Sequence, residues 1–169
     1  EVENSITRTG AQVGDSIYIS SLPGCSAAGL ASIELAEFND LQQYAVDEFC
    51  APTVDYVMAV AFANKGAHSM CDISDALIIQ AQQLADASGV QFVFEPQNFE
   101  KDGEFAQLQE LASAGGIDIW QWIFAGGEDH VFLATGKDLP GLCVGVVKAG
   151  SGVLGLEMKK APDTWRHFN

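Results

Sequence analysis

The chain has little positive charge. Eight Lys and Arg face 23 Asp and Glu, a net charge of −15 over 169 residues. Nucleic-acid binding and anionic membrane surfaces both depend on cationic side chains that meet phosphates, so this balance argues against both partners. A small phosphorylated ligand stays possible, but it needs a cation to bring it in. Long apolar runs are also missing. The longest, around residues 56–63, falls well short of the roughly 20 residues that span a bilayer. No secretory signal is recognisable, and the first residue is Glu1 rather than Met, which predicts a processed protein or a piece of a longer one.

Cysteine is sparse and scattered. Cys25, Cys50, Cys71 and Cys143 form no CxxC pair, and His68, His130 and His167 show no zinc-type spacing. Separated thiols of this kind predict reduced core residues of a cytoplasmic protein. Repeats, linkers and low-complexity tracts are lacking as well, so one domain is expected. What is present suits that reading. The chain is 48% apolar and 18% charged, enough to bury a full core.

Strand and helix patterns alternate. "GDSIYISS" (14–21) sets Ile17 and Ile19 against Tyr18 and Ser20, a half-buried strand. "CSAAGLASIELAEF" predicts a helix, and further helices are expected over 41–49 and 54–63, the latter stopping before Gly66. A short strand over 67–71 leads into a helix whose apolar positions Leu77, Ile78, Ala81, Leu84 and Ala85 share one face. Gly89 stands where a left-handed C-terminal residue is wanted. "VQFVFEP" predicts a strand and residues 104–114 a helix. "DIWQWIFA" predicts a strand, "GGED" a tight turn, "HVFLAT" another strand, and "LCVGVVKAGSGVLGLEM" a hairpin around 149–152. Adjacent strand pairs among helices predict an α/β domain with a mixed, partly antiparallel sheet covered by helices.

Three segments carry chemistry. In "CDISDAL", Asp72 and Asp75 stand three apart where a strand gives way to a helix. A carboxylate there can cap the helix, a role that suits Ser74 or Asp75. Two within one turn repel by ~4 kcal/mol at ~4 Å and an effective dielectric of ~20, and a divalent cation between them reverses the sign. Magnesium commonly takes one or two carboxylates and completes its shell with water and substrate phosphates. In "AGGEDHV" (125–131), two glycines allow close approach of a ligand to the backbone, with Glu128 and Asp129 beside it. A plain hairpin turn with solvated acids is the other reading. The terminal "DTWRHF" (163–168) either docks on the core or offers a stacking surface.

In sequence order, "TRTGAQVGDSIYIS", "CSAAGL", "DISDAL", "GGEDHVFLAT" and "WRHF" closely resemble the C-terminal half of thiamine-monophosphate kinases. The family patterns R-S-G-A-x-x-G-D, S-A-A-G-L, D-I-S-D-G-L, G-G-E-D-Y-E-L-L-F-T and G-W-x-H-F run in the same order. That half is the domain shared with aminoimidazole ribonucleotide synthetases, selenophosphate synthetases and hydrogenase-maturation proteins. The resemblance implies an aminoimidazole ribonucleotide synthetase C-terminal-like fold and ATP-dependent, magnesium-dependent phosphorylation of thiamine monophosphate to thiamine diphosphate in the cytoplasm. It also implies that residues 1–169 are the C-terminal domain of a two-domain kinase, homodimeric at full length. The N-terminal ATP- and metal-binding domain lies outside this chain.

By motif position, the resemblance puts magnesium on Asp72 and Asp75 and ATP on Ser74, with a nucleotide phosphate on Arg8. It puts thiamine monophosphate on Glu128 and Trp165. Phosphoryl transfer of this kind rests on positioning and charge neutralisation, so it implies no covalent nucleophile. The chain departs from the family at Ala76 (Gly), at His130 and Val131 (Tyr-Glu), and at Thr164 (Gly). Two other readings remain open: another ATP-using member of the superfamily with a different substrate, and a non-catalytic binding domain on the same scaffold.

Overall fold

The structure is a computed structural model that describes residues 5–155. Its elements run β1 (Ser16–Ile19), α1 (Cys25–Ser32), α2 (Asp40–Cys50), α3 (Tyr56–Asn64), β2 (Ser69–Ile73), α4 (Leu77–Ser88), β3 (Gln91–Phe94), α5 (Pro96–Phe99), α6 (Phe105–Ala114), α7 (Ile119–Ala125), β4 (Val131–Gly136), β5 (Leu142–Lys148) and β6 (Gly152–Leu154). The six strands form one sheet in the order β2-β4-β1-β5-β3-β6. Neighbours pair antiparallel except β3 and β6, which pair parallel. The expected mixed sheet is therefore present.

β1 lies mid-sheet, and its alternation supplies both cores. Ile17 and Ile19 join Leu77, Leu84, Phe92, Phe99, Leu108 and Ile123 in the larger cluster, under helices α1, α4, α5, α6 and α7. Tyr18 faces the other way, with Phe62 of α3, Ala134 and Leu139. One face thus carries most of the helices, and the second is covered in part by α3 alone among the described helices.

Two expectations fail here. "DIWQWIFA" is helix α7, not a strand. Its aromatic, β-branched composition favours a strand, but Ile119, Trp122 and Ile123 are buried at helical spacing. Asp118 starts the helix by accepting the Trp120 N–H, and the Trp120 and Phe124 rings stack four residues apart at 5.3 Å. The hairpin at the end is absent too. β5 pairs with β3 through Val146 and Val93, and β6 adds to the far edge of β3, with Gln91 opposite Gly152. The turn glycines Gly150 and Gly152 do adopt positive φ. They carry the chain over β3, because the inner edge of β5 is already taken.

The helix expected from residue 25 ends early at Ser32, whose hydroxyl bonds back to the Ala28 carbonyl. α2 then starts afresh from a capping box between Asn39 and Gln42. The cysteines meet the core expectation only in part, with Cys71 in the main cluster and Cys25 packed against it. All four are free thiols, but only Cys71 is buried, while Cys50 and Cys143 are exposed.

Candidate functional site

β2 alternates Cys71 and Ile73 into the main core, so Asp72 between them points to the opposite face. There its side chain is 44% exposed and lines an open cleft of about 250 Å³ with Val54, Tyr56, Met70, Cys71, His130 and Phe132. The expected helix start at Asp72 and Asp75 is displaced. Asp72 belongs to β2, and α4 begins only at Leu77, with Ala76 and not Ser74 or Asp75 at the N-cap. The cause is the loop facing them. Glu128 donates its N–H to the Ser74 carbonyl at 2.7 Å and His130 donates to Ile73 at 3.0 Å, which draws residues 73–74 into strand-like pairing.

A residue that the sequence reading passed over organises the helix start instead. Gln80 is 2% exposed, accepts the Ala76 N–H at Oε1 (3.1 Å) and directs Nε2 to Asp75 Oδ2 at 3.5 Å. A glutamine on the buried face of an amphipathic helix is the signal that could have exposed it, because a buried amide needs partners.

The segment 126–130 is a link from α7 to β4, not a hairpin turn. Gly127 packs so closely on the corner that a Cβ there would stand 2.3 Å from the Asp75 carbonyl oxygen and 2.9 Å from that of Ser74. Glu128 and His130 both take positive φ, 65° and 52°, a region unusual for side-chain-bearing residues. Between them Asp129 turns inward. Its carboxylate accepts N–H groups from Gly24 (2.8 Å) and Ser26 (2.9 Å), and the Ser26 hydroxyl donates to the Glu128 carbonyl at 2.9 Å. Burial pushes the Asp129 pKa up to about 6, against those backbone hydrogen bonds. In the linear sequence Asp129 is only an acid beside a ligand; the fold makes it the N-terminal anchor of α1.

With Asp129 buried, Glu128 projects outward, 67% exposed. The His130 ring lies between the two site acids, Nε2 at 3.5 Å from Glu128 and Nδ1 at 3.8 Å from Asp72. The structure thus brings Asp72 and Glu128 to the ring of His130, and of the three Asp72 and His130 line the cleft. Arg8 approaches from the edge of β2, where the Thr7 carbonyl accepts the Met70 N–H. Burial raises the Cys71 thiol to about 12, while Arg8 pulls it down and Asp72 pushes it up. Trp165 and Thr164 lie outside the described residues.

Asp72 and Asp75 offer hard carboxylate oxygens, the donor type that magnesium prefers. Among the described residues no group of three or more His, Cys, Asp or Glu could hold a metal ion. This donor set fits a magnesium ion that keeps water or phosphate oxygens, and not a closed all-protein cage.

Comparison with known proteins agrees with this architecture. Residues 12–125 match the family model of the AIR synthase related protein, C-terminal domain, and the chain belongs to that family. Curated relatives of this chain include thiamine-monophosphate kinases. The one from Aquifex aeolicus is 30% identical over 99% of this chain and 56% of its own length. That from Corynebacterium glutamicum is 34% identical over 74% of this chain and 38% of its own. A solved structure, AaThiL complexed with AMPPCP and TMP, superposes with a TM-score of 0.81 at 29% identity, covering 96% of this chain and 54% of that one. The chain spans about half the length of the curated relatives it matches.

Proposed function

We propose that this chain is the C-terminal half of an enzyme that transfers the γ-phosphoryl group of ATP to thiamine monophosphate, forming thiamine diphosphate. The observation that carries this reading is the gathering of Asp72 and Glu128 around the ring of His130, with Arg8 next to Thr7, whose carbonyl pairs with Met70 of β2. The AaThiL structure contains a nucleotide analogue and TMP together, which supports a nucleotide and a phosphorylated substrate on this scaffold.

In the proposed site Asp72 and Asp75 hold magnesium, which when bound neutralises phosphate charge. Ser74 and Arg8 meet the nucleotide, Arg8 offering a guanidinium suited to phosphate oxygens. Glu128, exposed and anionic, faces the cationic thiazolium of the substrate, and Trp165 packs on its rings. The chain's own contribution is alignment and electrostatics, as in-line phosphoryl transfer requires. An N-terminal domain completes the site, and the full-length protein is a homodimer located in the cytoplasm. The apolar side of α3, with Val57 at 81% and Val60 at 57% exposure, supports an adjoining domain there, since isolated surfaces seldom expose such patches.

The test is an assay of the full-length protein with thiamine monophosphate, ATP and magnesium, with thiamine diphosphate measured by chromatography. Stoichiometric formation of the diphosphate and ADP is expected. ADP release only with other phosphorylated acceptors would reassign the substrate, and no turnover with any acceptor would reject the kinase reading.

A further inference from the structure

We propose that Ser88, the last residue of α4, is a positioning residue for Arg8. Its hydroxyl accepts the N–H of Gly10 at 3.2 Å and of Ala11 at 3.1 Å, and it donates to the Arg8 carbonyl at 3.5 Å. One donor and two acceptor sites are all that a serine hydroxyl has, so this group is fully engaged with the turn that carries Arg8. A serine at a helix end ordinarily bonds within its own helix. Ser88 reaches a segment 77–80 residues away in sequence instead.

The rest of this segment is fixed independently. Upstream, the Thr7 carbonyl pairs with Met70 of β2. Downstream, Asp15 is 1% exposed, accepts the Gln12 N–H at 2.8 Å and meets His68 Nδ1 at 2.9 Å, while the Gly14 N–H reaches Val147. Between these anchors the chain passes close over His68, where a Cβ on Gly10 would stand 2.4 Å from the His68 carbonyl oxygen. The N–H groups of Gly10 and Ala11 both end on Ser88. Since α4 starts beside the 72–75 corner and ends at Ser88, one rigid helix sets the distance from that corner to Arg8.

This inference rests on Arg8 meeting the nucleotide. The experiment measures kcat and the KM of each substrate for the full-length enzyme as wild type, Arg8→Ala, Ser88→Ala, Ser88→Thr and the Arg8/Ser88 double alanine variant. Ser88→Ala is expected to raise the ATP KM about fivefold while moving the thiamine monophosphate KM less than about twofold, the scale of losing one turn's hydrogen bonds. In the Arg8→Ala background the same change moves the ATP KM less than about twofold, because both residues act through one contact. Ser88→Thr, which keeps the hydroxyl, returns the ATP KM to the wild-type range. Should Ser88→Ala fail to fold by circular dichroism, Ser88→Cys, similar in size with a weak donor, takes its place in the same comparison. An unchanged ATP KM, or an equal factor in both backgrounds, overturns the role of Ser88 even where Arg8→Ala impairs ATP use. An Arg8→Ala enzyme with wild-type ATP kinetics overturns the Arg8 reading itself, and the inference with it.

Discussion

Asp129 caps the start of α1 from 103 residues away, its Oδ1 accepting the Ser26 N–H at 2.9 Å while Oδ2 takes that of Gly24 at 2.8 Å. Gly24 has no cap from its own side chain and stands at φ 115°, so these orphan N–H groups depend on Asp129. Asp129→Ala leaves two buried donors unpaired and should destabilise the domain by ~2–4 kcal/mol. Urea unfolding of the two proteins measures this, and a loss below ~1 kcal/mol would remove Asp129 as the anchor.

The same group makes stability depend on pH. Its carboxyl is raised from 3.8 to about 6 by burial, against the bonds from Ser26 and Gly24. A raised acid pKa means that the folded state holds the proton more tightly than the unfolded chain does. Its contribution is therefore full below about pH 4 and is lost as pH rises through about 6. Asp129→Asn removes the titration. The melting temperature of the wild type minus that of the variant should fall across this window and level off above it. A difference constant with pH would contradict the assignment.

Gly127 and Gly89 form a contrasting pair. An alanine at 127 drives its Cβ to 2.3 Å from the Asp75 carbonyl, so the 126–130 segment must lift off the corner. Loss of ~2–3 kcal/mol and of most turnover in the full-length enzyme is expected. An alanine at 89 meets nothing within 4 Å and bears only the strain of φ +66°, a cost of ~1 kcal/mol. Thermal melts and rates on both variants check the contrast, and similar losses at both positions would contradict it.

Asp72 should separate activity from stability. Its side chain is 44% exposed, and His130 Nδ1 stands 3.8 Å from it, so Asp72→Asn should change unfolding free energy by less than ~0.5 kcal/mol. Turnover by the full-length enzyme should drop at least ~100-fold, the scale reported when a charge-stabilising group is removed from a reaction centre. Retained turnover would exclude Asp72 from the site.

Gln80 should behave in the reverse way to Asp72. Gln80→Leu keeps the volume but leaves the Ala76 N–H, now bonded to Oε1 at 3.1 Å, without an acceptor in a buried place. A loss of ~1–3 kcal/mol is expected. Hydrogen exchange at the first turn of α4 should speed up first, and unchanged protection there would show that Gln80 does not organise the corner.

Much of this molecule could be read from neighbouring residues. The alternation in "SIYI", the helical face from Leu77 to Ala85 and the αL glycine at 89 all reappear in the fold. Backbone periodicity and turn chemistry act over a few residues, so these features are legible in the linear order. "DIWQWIFA" looks like a strand because aromatic and β-branched residues prefer strands on average. The packing of Trp122 and Ile123 in the core, and the cap from Asp118, outweigh that average.

Position on the far side of the chain decides the remainder. Nothing local in "GGED" distinguishes which acid turns inward. Asp129 does so because the N-terminus of α1 lies behind it, and Glu128 is left exposed beside His130 as a consequence. Likewise Asp72 sits on a strand and not at a helix start because His130 and Glu128 pair with residues 73 and 74. Hydrophobic pattern is a property of adjacent residues and survives in the linear order. The direction a polar side chain takes is set by donors and acceptors distant in sequence, as much as 105 positions away for Asp129, and these meet only once the sheet has formed.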